Sequence, residues 1–475
     1  MSLKDQGKIG YLPDETPSLG KLLLYALQQV VVMFPATIAV ALITGFQVST
    51  TIFASGLATL CFIFITKKRI PLYYGSSFAY LSAVSAMAMA EGSAEQIASW
   101  QATGILPAEL ISKAQFGIIM SGFVSIAAGL IVNRFGAETV EKFLPASITG
   151  SVSMVIGLTL AGNAMADLLG VGNMVNGLEV AAGSKVAALW LIVGLITFLS
   201  TCIYARYLKG LLSQLPLLLG VLTGCVVAAL VYFVGGVNLF RSVPAEALAA
   251  SSFKLGDGSF FALPAFTFPK VSLNALAGIM PIAIATIPES TAHMYQLDIY
   301  VNDVAKEKGK KKYDLVSLLG NNLVGDGLCD MISGVVGGPA GTNYGENISL
   351  MAITRVFSVP VLMAASIIAM IVSCFTPLIK LIYGIPLPVI GGIEVYCFGA
   401  IAAQGIAILI DKGVSMFDSK NIAVIALVCI VGLGGQYAFG GNIPFFGITV
   451  PCVAGAAIAG IVLNLILTFG DKTQK

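Results

Sequence analysis

Residues 337–355 read GGPAGTNYGENISLMAITR, a stretch that is rich in glycine at its start and mostly apolar at its end. Residues 70–79 read IPLYYGSSFA and show the same order, with proline and glycine ahead of small and apolar residues. Glycine and proline disfavour the interior of a helix. Each stretch therefore predicts an extended segment that passes directly into a helix.

The composition around these stretches is typical of a membrane protein. Of the 475 residues, 57% are hydrophobic and 11% are charged, and the mean hydropathy is +0.92. A soluble surface needs far more charge, and apolar runs of about twenty residues recur along the chain. We therefore expect an all-α polytopic membrane protein, in which 52 glycines and 19 prolines allow close helix packing and helix breaks.

Fourteen candidate spans follow from the apolar runs, with longer outer loops at 91–113 and 236–271. Twenty of the 26 Lys and Arg residues fall on the side that holds both termini, which the positive-inside rule makes the cytoplasmic side. We expect a multi-pass protein of the plasma (inner) membrane with both termini in the cytoplasm. The spans are 19–45, 50–66, 70–90, 115–133, 144–166, 186–205, 212–235, 272–297, 314–336, 338–354, 356–381, 385–410, 420–437 and 443–469.

The same composition argues against several classes of function. A net charge of +2 without a basic patch gives no reason to expect nucleic acid as a partner. The eight cysteines lie in apolar runs without close pairs, so they are expected to be free thiols, and neither a metal nor a cofactor is expected. A membrane enzyme would lack a catalytic set, since there is one histidine and no phosphate loop. Residues 1–18 do not resemble a cleaved signal peptide.

A weak internal repeat relates residues 74–79 to residues 344–349, and each copy lies in the third span of its half of the chain. Because seven spans per half is an odd number, the halves would be inverted repeats. A helix from Glu346 to Arg355 would rise about 14 Å, roughly half of a ~30 Å hydrocarbon core. Glu346 is thus expected near the middle of the membrane, where a half-helix turns its free N–H groups towards a cavity.

Glu289 and His293 are four residues apart in the eighth span and would share one helical face. A carboxylate and an imidazole in this arrangement can exchange or share a proton. The alternative is a structural ion pair between helices, which by itself contributes little stability. Because ionisable groups inside a membrane are costly, the functional interpretation is favoured.

Four further carboxylates lie inside spans. Glu346, beside Asn347, could accept N–H groups from a ligand or could simply cap its helix. Asp326 and Asp330 could form a cation or proton site, but we favour a role in bracing the non-helical segments through backbone amides. Glu394 has only apolar neighbours in sequence, and its role stays open.

Residues 337–355 resemble the signature region of the nucleobase/ascorbate transporter family, particularly its bacterial uracil permeases. Glu346, Asn347, Thr354 and Arg355 match the signature, whereas Ser349 stands in place of its glycine. Further agreement lies in residues 27–37, in residues 75–79, and in Glu289 with His293. Gln29 stands where uracil permeases often have histidine. The likeness extends from the first span to the last.

The resemblance implies two inverted seven-span repeats, with short antiparallel strands in spans three and ten. It divides the chain into a core at 19–135 and 272–381 and a gate at 136–235 and 382–470. An outer loop would occupy 236–271, and the cytoplasmic tails would be 1–18 and 471–475.

The resemblance also implies a site and partners. Glu289 and Glu346 would hold the base, Phe78 and Gly345 would offer backbone contacts, and His293 with Glu289 would couple proton movement to transport. Tyr344 could add an apolar wall. Supporting roles are expected for Ser76, Ser77, Asn347 and Asp326. The expected partners are uracil or a related nucleobase, a proton, membrane lipid and a second copy of the chain in a homodimer.

Two other transporter functions remain open at this point. A purine such as xanthine or urate is the nearest alternative, and glutamate rather than glutamine at position 346 favours uracil. An anion transporter or channel of the same architecture would need a cation where Glu289 or Glu346 stands. The two acids argue against it.

Overall fold

Helices make up most of the protein in the computed structural model, which describes residues 10–136, 144–242, 260–445 and 448–472. The ends of both expected tails and residues 243–259 of the expected outer loop lie outside the described residues. The helices are α1 (Leu19–Thr44), α2 (Val48–Ile65), α3 (Leu81–Glu91), α4 (Ala94–Thr103), α5 (Ala108–Phe135), α6 (Ala146–Thr159), α7 (Ala161–Leu169), α8 (Lys185–Tyr207), α9 (Pro216–Gly235), α10 (Leu273–Ile279), α11 (Ala283–Glu307), α12 (Leu319–Val336), α13 (Gly345–Thr354), α14 (Val359–Ser373), α15 (Thr376–Tyr383), α16 (Leu387–Asp411), α17 (Ser419–Phe439) and α18 (Cys452–Lys472). The strands are β1 (Tyr74–Ser76), β2 (Met174–Val175), β3 (Leu178–Glu179), β4 (Gly341–Asn343), β5 (Asn442–Phe445) and β6 (Ile448–Pro451).

Nine helical stretches within the described residues are long and apolar enough to cross a membrane. Shorter apolar helices occupy Phe78–Glu91, Val359–Ser373 and Cys452–Thr468. The first of these follows a strand, as expected for a span that is helical only in its second half. The count of fourteen spans in two inverted repeats stays a prediction.

The expected short strands of the third and tenth spans are present and pair with each other. β1 and β4 are antiparallel, with Tyr74 opposite Asn343 and Ser76 opposite Gly341. Their ladder continues at one end, where the Tyr344 N–H donates to the Tyr73 carbonyl at 2.9 Å. Because the strands are antiparallel, α3 and α13 leave the pair at opposite ends.

Two tyrosines and one aspartate hold this strand pair together. A Cβ atom at Gly75 would lie 2.2 Å from ring carbons of Tyr344, and one at Gly341 would lie 2.5 Å from a ring carbon of Tyr74. Only glycine leaves room for either ring. Asp330 of α12 accepts the hydroxyl of Tyr74 and, at 2.8 Å, the N–H of Gly341. One buried carboxyl group therefore binds both strands.

The helices contact one another mainly in two groups. One group contains α1, α2, α5, α12 and α14, and the other contains α6 to α9 with α16 to α18. Glycines allow the closest approach, since a Cβ at Gly122 of α5 would lie 2.3 Å from the carbonyl oxygen of Gly327 in α12. Such small-residue contacts replace the hydrophobic driving force that is absent in lipid.

Several elements differ from the expectation. The outer loop at 91–113 contains α4, whose start is capped by reciprocal hydrogen bonds between Ser93 and Gln96. The last span begins with the antiparallel strands β5 and β6 instead of a helix. The eighth span extends ten residues further, to Glu307, because its polar residues continue one helix beyond the apolar run.

Candidate functional site

A cavity of about 320 Å³ lies between the two helix groups, beside the strand pair. This volume is at the lower end of the ~300–1,000 Å³ typical of small-molecule sites. Its walls come from spans of both halves of the chain. The lining residues are Ala36, Ser76, Ser77, Phe78, Ala79, Thr149, Ser153, Ile156, Leu217, Ala285, Pro288, Glu289, His293, Thr342, Asn343, Tyr344, Gly345, Glu346, Tyr396, Cys397, Ala400, Ile401, Gln404 and Ile408.

The cavity brings together eight of the ten residues that the sequence indicates. These are Ser76, Ser77, Phe78, Glu289, His293, Tyr344, Gly345 and Glu346. Asn347 and Asp326 do not line it. The structure therefore separates residues that face the cavity from residues that lie behind it.

Glu346 lies in the first turn of α13. This helix begins directly after Tyr344, whose backbone is extended. The first N–H groups of a helix have no partner within the helix, and the first two residues of α13, Gly345 and Glu346, line the cavity. Glu289 reaches the same cavity from α11, and Glu346 is its charged neighbour. Two carboxyl groups and a helix N-terminus thus converge on one space.

His293 lies against the end of β4 and not against Glu289. The imidazole hydrogen-bonds to the backbone of Asn343, and a Cβ at Gly345 would lie 3.0 Å from His293 Nε2. Its Nδ1 atom is buried without a hydrogen-bond partner among the described residues. Within that part of the chain no ion pair joins Glu289 and His293, although α11 does place both on the cavity side.

Tyr344 is anchored by its hydroxyl group. It donates to the Ser76 carbonyl at 3.1 Å and lies 2.8 Å from the Thr37 hydroxyl of α1. These bonds orient the ring between β1 and the cavity. The predicted apolar wall therefore also connects three segments of the chain.

Asn347 is fully buried and positions the half-helix from behind. Its amide donates to the Gln29 backbone carbonyl at 3.0 Å and to the Gln29 side-chain oxygen at 2.7 Å. Gln29 lies on the buried face of α1. The residue after Glu346 is thus fixed to the first helix.

Asp326 belongs to a buried polar network behind the cavity. Its Oδ2 accepts the hydroxyl of Ser290, one residue after Glu289, and the amide of Asn343 at 3.2 Å. Asn322 extends the network by donating to Ser290 at 2.7 Å. Such a network fixes the backbone on which Glu289 and the end of β4 are carried.

The second helix group supplies polar cavity residues that no sequence motif indicated. Thr149 and Ser153 come from α6, and Tyr396 and Gln404 come from α16. On the opposite wall, the Thr342 hydroxyl is buried without a hydrogen-bond partner in the described chain. Single polar residues in apolar helices carry no spacing signal, so only the fold identifies them.

The arrangement is suited to a small neutral ligand with both N–H and carbonyl groups. Carboxylates accept hydrogen bonds, and the N–H groups at the start of α13 donate them. The described residues contain no group of three or more His, Cys, Asp or Glu side chains that could hold a metal ion.

A family model described as the permease family matches residues 20–441. The uracil permease of Bacillus caldolyticus is 33% identical over 95% of this chain and 93% of its own length. The pyrimidine permease RutG of Escherichia coli K12, named as putative, is 31% identical over 96% of this chain and 91% of its own length.

Two solved structures share the fold. Murine Slc26a9, an anion transporter in the inward-facing state, gives a TM-score of 0.64 at 14% identity. The match covers 99% of this chain and 73% of the Slc26a9 chain. The transmembrane domain of the cyanobacterial bicarbonate transporter BicA gives a TM-score of 0.56 at 15% identity, and the match covers 96% of this chain and 99% of that domain.

Proposed function

Because the chain belongs to the permease family, whose model matches residues 20–441, we propose that it imports uracil by proton symport through alternating access. The family and the apolar helices make it a multi-pass membrane transporter. One observation carries the choice of substrate: Glu289 and Glu346 face one cavity at the N-terminus of a half-helix.

The chemistry of uracil fits that observation. Uracil is a neutral plane with two N–H donors and two carbonyl acceptors. Glu289 and Glu346 accept its N–H groups, and backbone N–H groups at Phe78 and Gly345 donate to its carbonyls. The Tyr344 ring lies beside its face. Every polar edge of the ligand then has a partner without a net charge on the ligand.

Alternating access requires two bodies that move past the bound ligand. We assign the core to 19–135 and 272–381 and the gate to 136–235 and 382–470. The two groups of helix contacts support this division, and the cavity between them is bounded by both. Lipid surrounds both bodies, the termini are cytoplasmic, and the transporter works as a homodimer in the plasma (inner) membrane.

Proton coupling is assigned to Glu289 and His293. The unpartnered Nδ1 of His293 is available to bind a proton. Because the ring lies against Gly345, its charge would act on the backbone that carries Glu346. Proton loading and substrate binding are therefore linked through β4 and α13.

Uptake measurements separate this function from its alternatives. Cells that lack their own nucleobase uptake would express the chain and receive labelled uracil, xanthine or sulfate. We expect accumulation of uracil that is abolished by a protonophore. Preferential xanthine uptake would indicate a purine permease, and sulfate uptake an anion transporter. The variant Glu95→Gln, in the exposed helix α4, is the matched control for expression.

A further inference from the structure

Two carboxyl groups of the second helix group lie against each other away from the proposed binding cavity. Glu394 of α16 is 2% exposed, and its side chain lies within hydrogen-bonding reach of that of Asp167 in α7, which is half-buried. Ionised carboxylates only accept hydrogen bonds. A hydrogen bond between these two groups therefore requires one proton.

Close packing of the two helices fixes this contact. A Cβ at Gly391, one turn before Glu394, would lie 2.5 Å from the Leu168 nitrogen and 2.6 Å from the Asp167 carbonyl carbon. From the other side, Trp190 Nε1 donates to the Asp167 carbonyl at 2.9 Å. The backbone of Asp167 is thus held between α16 and α8.

Arg241 is the cation that faces Asp167. Its guanidinium Nη2 donates to the Thr103 carbonyl at the end of α4 at 3.3 Å, and its backbone N–H donates to the Gly384 carbonyl at 3.2 Å. Gly104 provides the room, since a Cβ there would lie 2.1 Å from Nη2. Arg241 therefore connects Gly384 of the gate to α4 of the core.

The second oxygen of Glu394 has no partner. Oε2 is buried without a hydrogen bond among the described residues, and Glu394 lines an otherwise largely apolar cavity of about 560 Å³. Lys380 lines the same cavity, and Tyr383 lies near Arg241. Asp167 remains the charged group that faces Glu394 directly. A second ionised carboxylate in this setting would be poorly solvated, so the proton belongs on Glu394.

We propose that Glu394 and Asp167 form a proton-binding site, in which protonated Glu394 donates to the Asp167 carboxylate. When Glu394 releases its proton to water, its O–H bond breaks and a second negative charge is left beside Asp167. The two carboxylates then repel each other across the contact between α7 and α16. The site makes this contact within the gate depend on a proton, and it is separate from Glu289 and His293.

Infrared spectroscopy of the purified full-length protein tests the proton directly. A protonated carboxylic acid has a C=O stretching band that is separate from the carboxylate bands. At pH 7 we expect Glu394→Gln to remove one component of that band while its amide still donates to Asp167. The control Glu179→Gln, at an exposed position in β3, leaves the band unchanged. A Glu394→Gln band identical to that of the wild type would overturn the proposal.

A second variant covers the case in which Glu394→Gln does not fold. Asp167→Asn keeps the proton on Glu394 but changes its acceptor from a carboxylate to an amide, so the band should shift in frequency and not disappear. An unshifted band would also overturn the proposal. The effect of the proton on the contact between α7 and α16 is tested by the pH dependence of the melting temperature, which should be weaker in Glu394→Gln than in the wild type and Glu179→Gln. Equal dependence in all three would exclude this effect. Neither measurement contains uracil, so its failure would leave the proposed transport function untouched.

Discussion

The ring of Tyr344 lies against the backbone of Gly75, 2.2 Å from where a Cβ would stand. The same side chain donates its hydroxyl to the carbonyl of Ser76. One tyrosine of the tenth span therefore holds two consecutive residues of the third. Because both spans line the cavity, the shape of the proposed site depends on this contact.

Replacing Gly75 with alanine should disturb the strand pair. The added methyl group must displace the Tyr344 ring, and overpacking of this kind costs about 1–3 kcal/mol. We expect a lower melting temperature in detergent and weaker uracil binding. The control is Gly162→Ala in α7, where a Cβ would meet nothing within 4 Å. Equal effects of the two substitutions would contradict this role of Gly75.

Glu289→Gln and Glu346→Gln should each weaken uracil binding strongly. An amide N–H₂ in place of an acceptor oxygen leaves a ligand N–H facing a donor. A mispaired buried group costs about 1–3 kcal/mol, or about tenfold or more in affinity. Isothermal titration of the purified variants would measure the effect, with Glu95→Gln as the control. Affinities within twofold of the wild type for both variants would remove these residues from the site.

His293→Leu should separate binding from coupling. The substitution removes the titrating ring but keeps Glu289, Glu346 and the amides of α13, so solubilised protein should still bind uracil. In proteoliposomes, accumulation driven by an imposed pH step should be lost. A variant that still concentrates uracil after that step would make His293 structural and would move the coupling to Glu289 alone or to Asp326 and Asp330.

The orientation in the membrane predicts a labelling pattern. A cysteine at Lys310 should react with an impermeant thiol reagent only from the cytoplasmic side, and a cysteine at Ala94 only from outside. The native cysteines are free thiols within the described chain, so the unsubstituted protein provides the background. Reversal of either result would refute the fourteen-span orientation.

An ion pair before α1 predicts an acid-sensitive contribution to stability. Burial alone would raise the pKa of Glu15, but hydrogen bonds from Lys308 and from the Leu12 N–H outweigh it and hold that pKa below its usual range. A carboxyl group whose pKa is lower in the folded protein than in the unfolded one stabilises the fold when the pH is above the unfolded pKa. This stabilisation is lost as the pH falls through the folded pKa. As the pH falls from about 5 to about 3, the melting temperature should therefore fall less in Glu15→Gln than in the wild type. Parallel curves would show that the pair adds no measurable stability.

The half-helix of the tenth span could be predicted from the sequence because two strong local signals coincide there. Gly341 and Gly345 interrupt the helix, and the distance to Arg355 predicts a position for Glu346 near the membrane centre. The bracing role favoured for the aspartates is visible in Asp330, which bonds one strand from each half. Local signals of this kind depend only on neighbours in sequence, so they can be recognised without knowledge of the fold.

Contacts between distant spans could not be predicted in the same way. In the sequence Gln29 is only a departure from a family pattern, yet it is the residue that holds Asn347. Gln404 reaches the cavity because α16 packs along α6, which no periodicity reveals. His293 is on the expected helix but contacts β4 instead of Glu289, since the ring can reach the backbone beside it.

The pairing of β1 with β4 also has a consequence for biosynthesis. Ser76 and Tyr344, which bond across this pair, are 268 positions apart. At a translation rate of about 5–20 residues per second, the third span is synthesised roughly 10 to 50 s before the tenth span with which it pairs. Lipid provides no hydrogen-bond partners for unpaired backbone groups in that interval.

Helix α2, which is synthesised before β1, provides such partners. Thr59 of α2 hydrogen-bonds to both the N–H and the carbonyl of Tyr74 at 3.0 Å. Loss of the Thr59 hydroxyl should thus lower the yield of inserted protein more than it lowers the stability of the finished one.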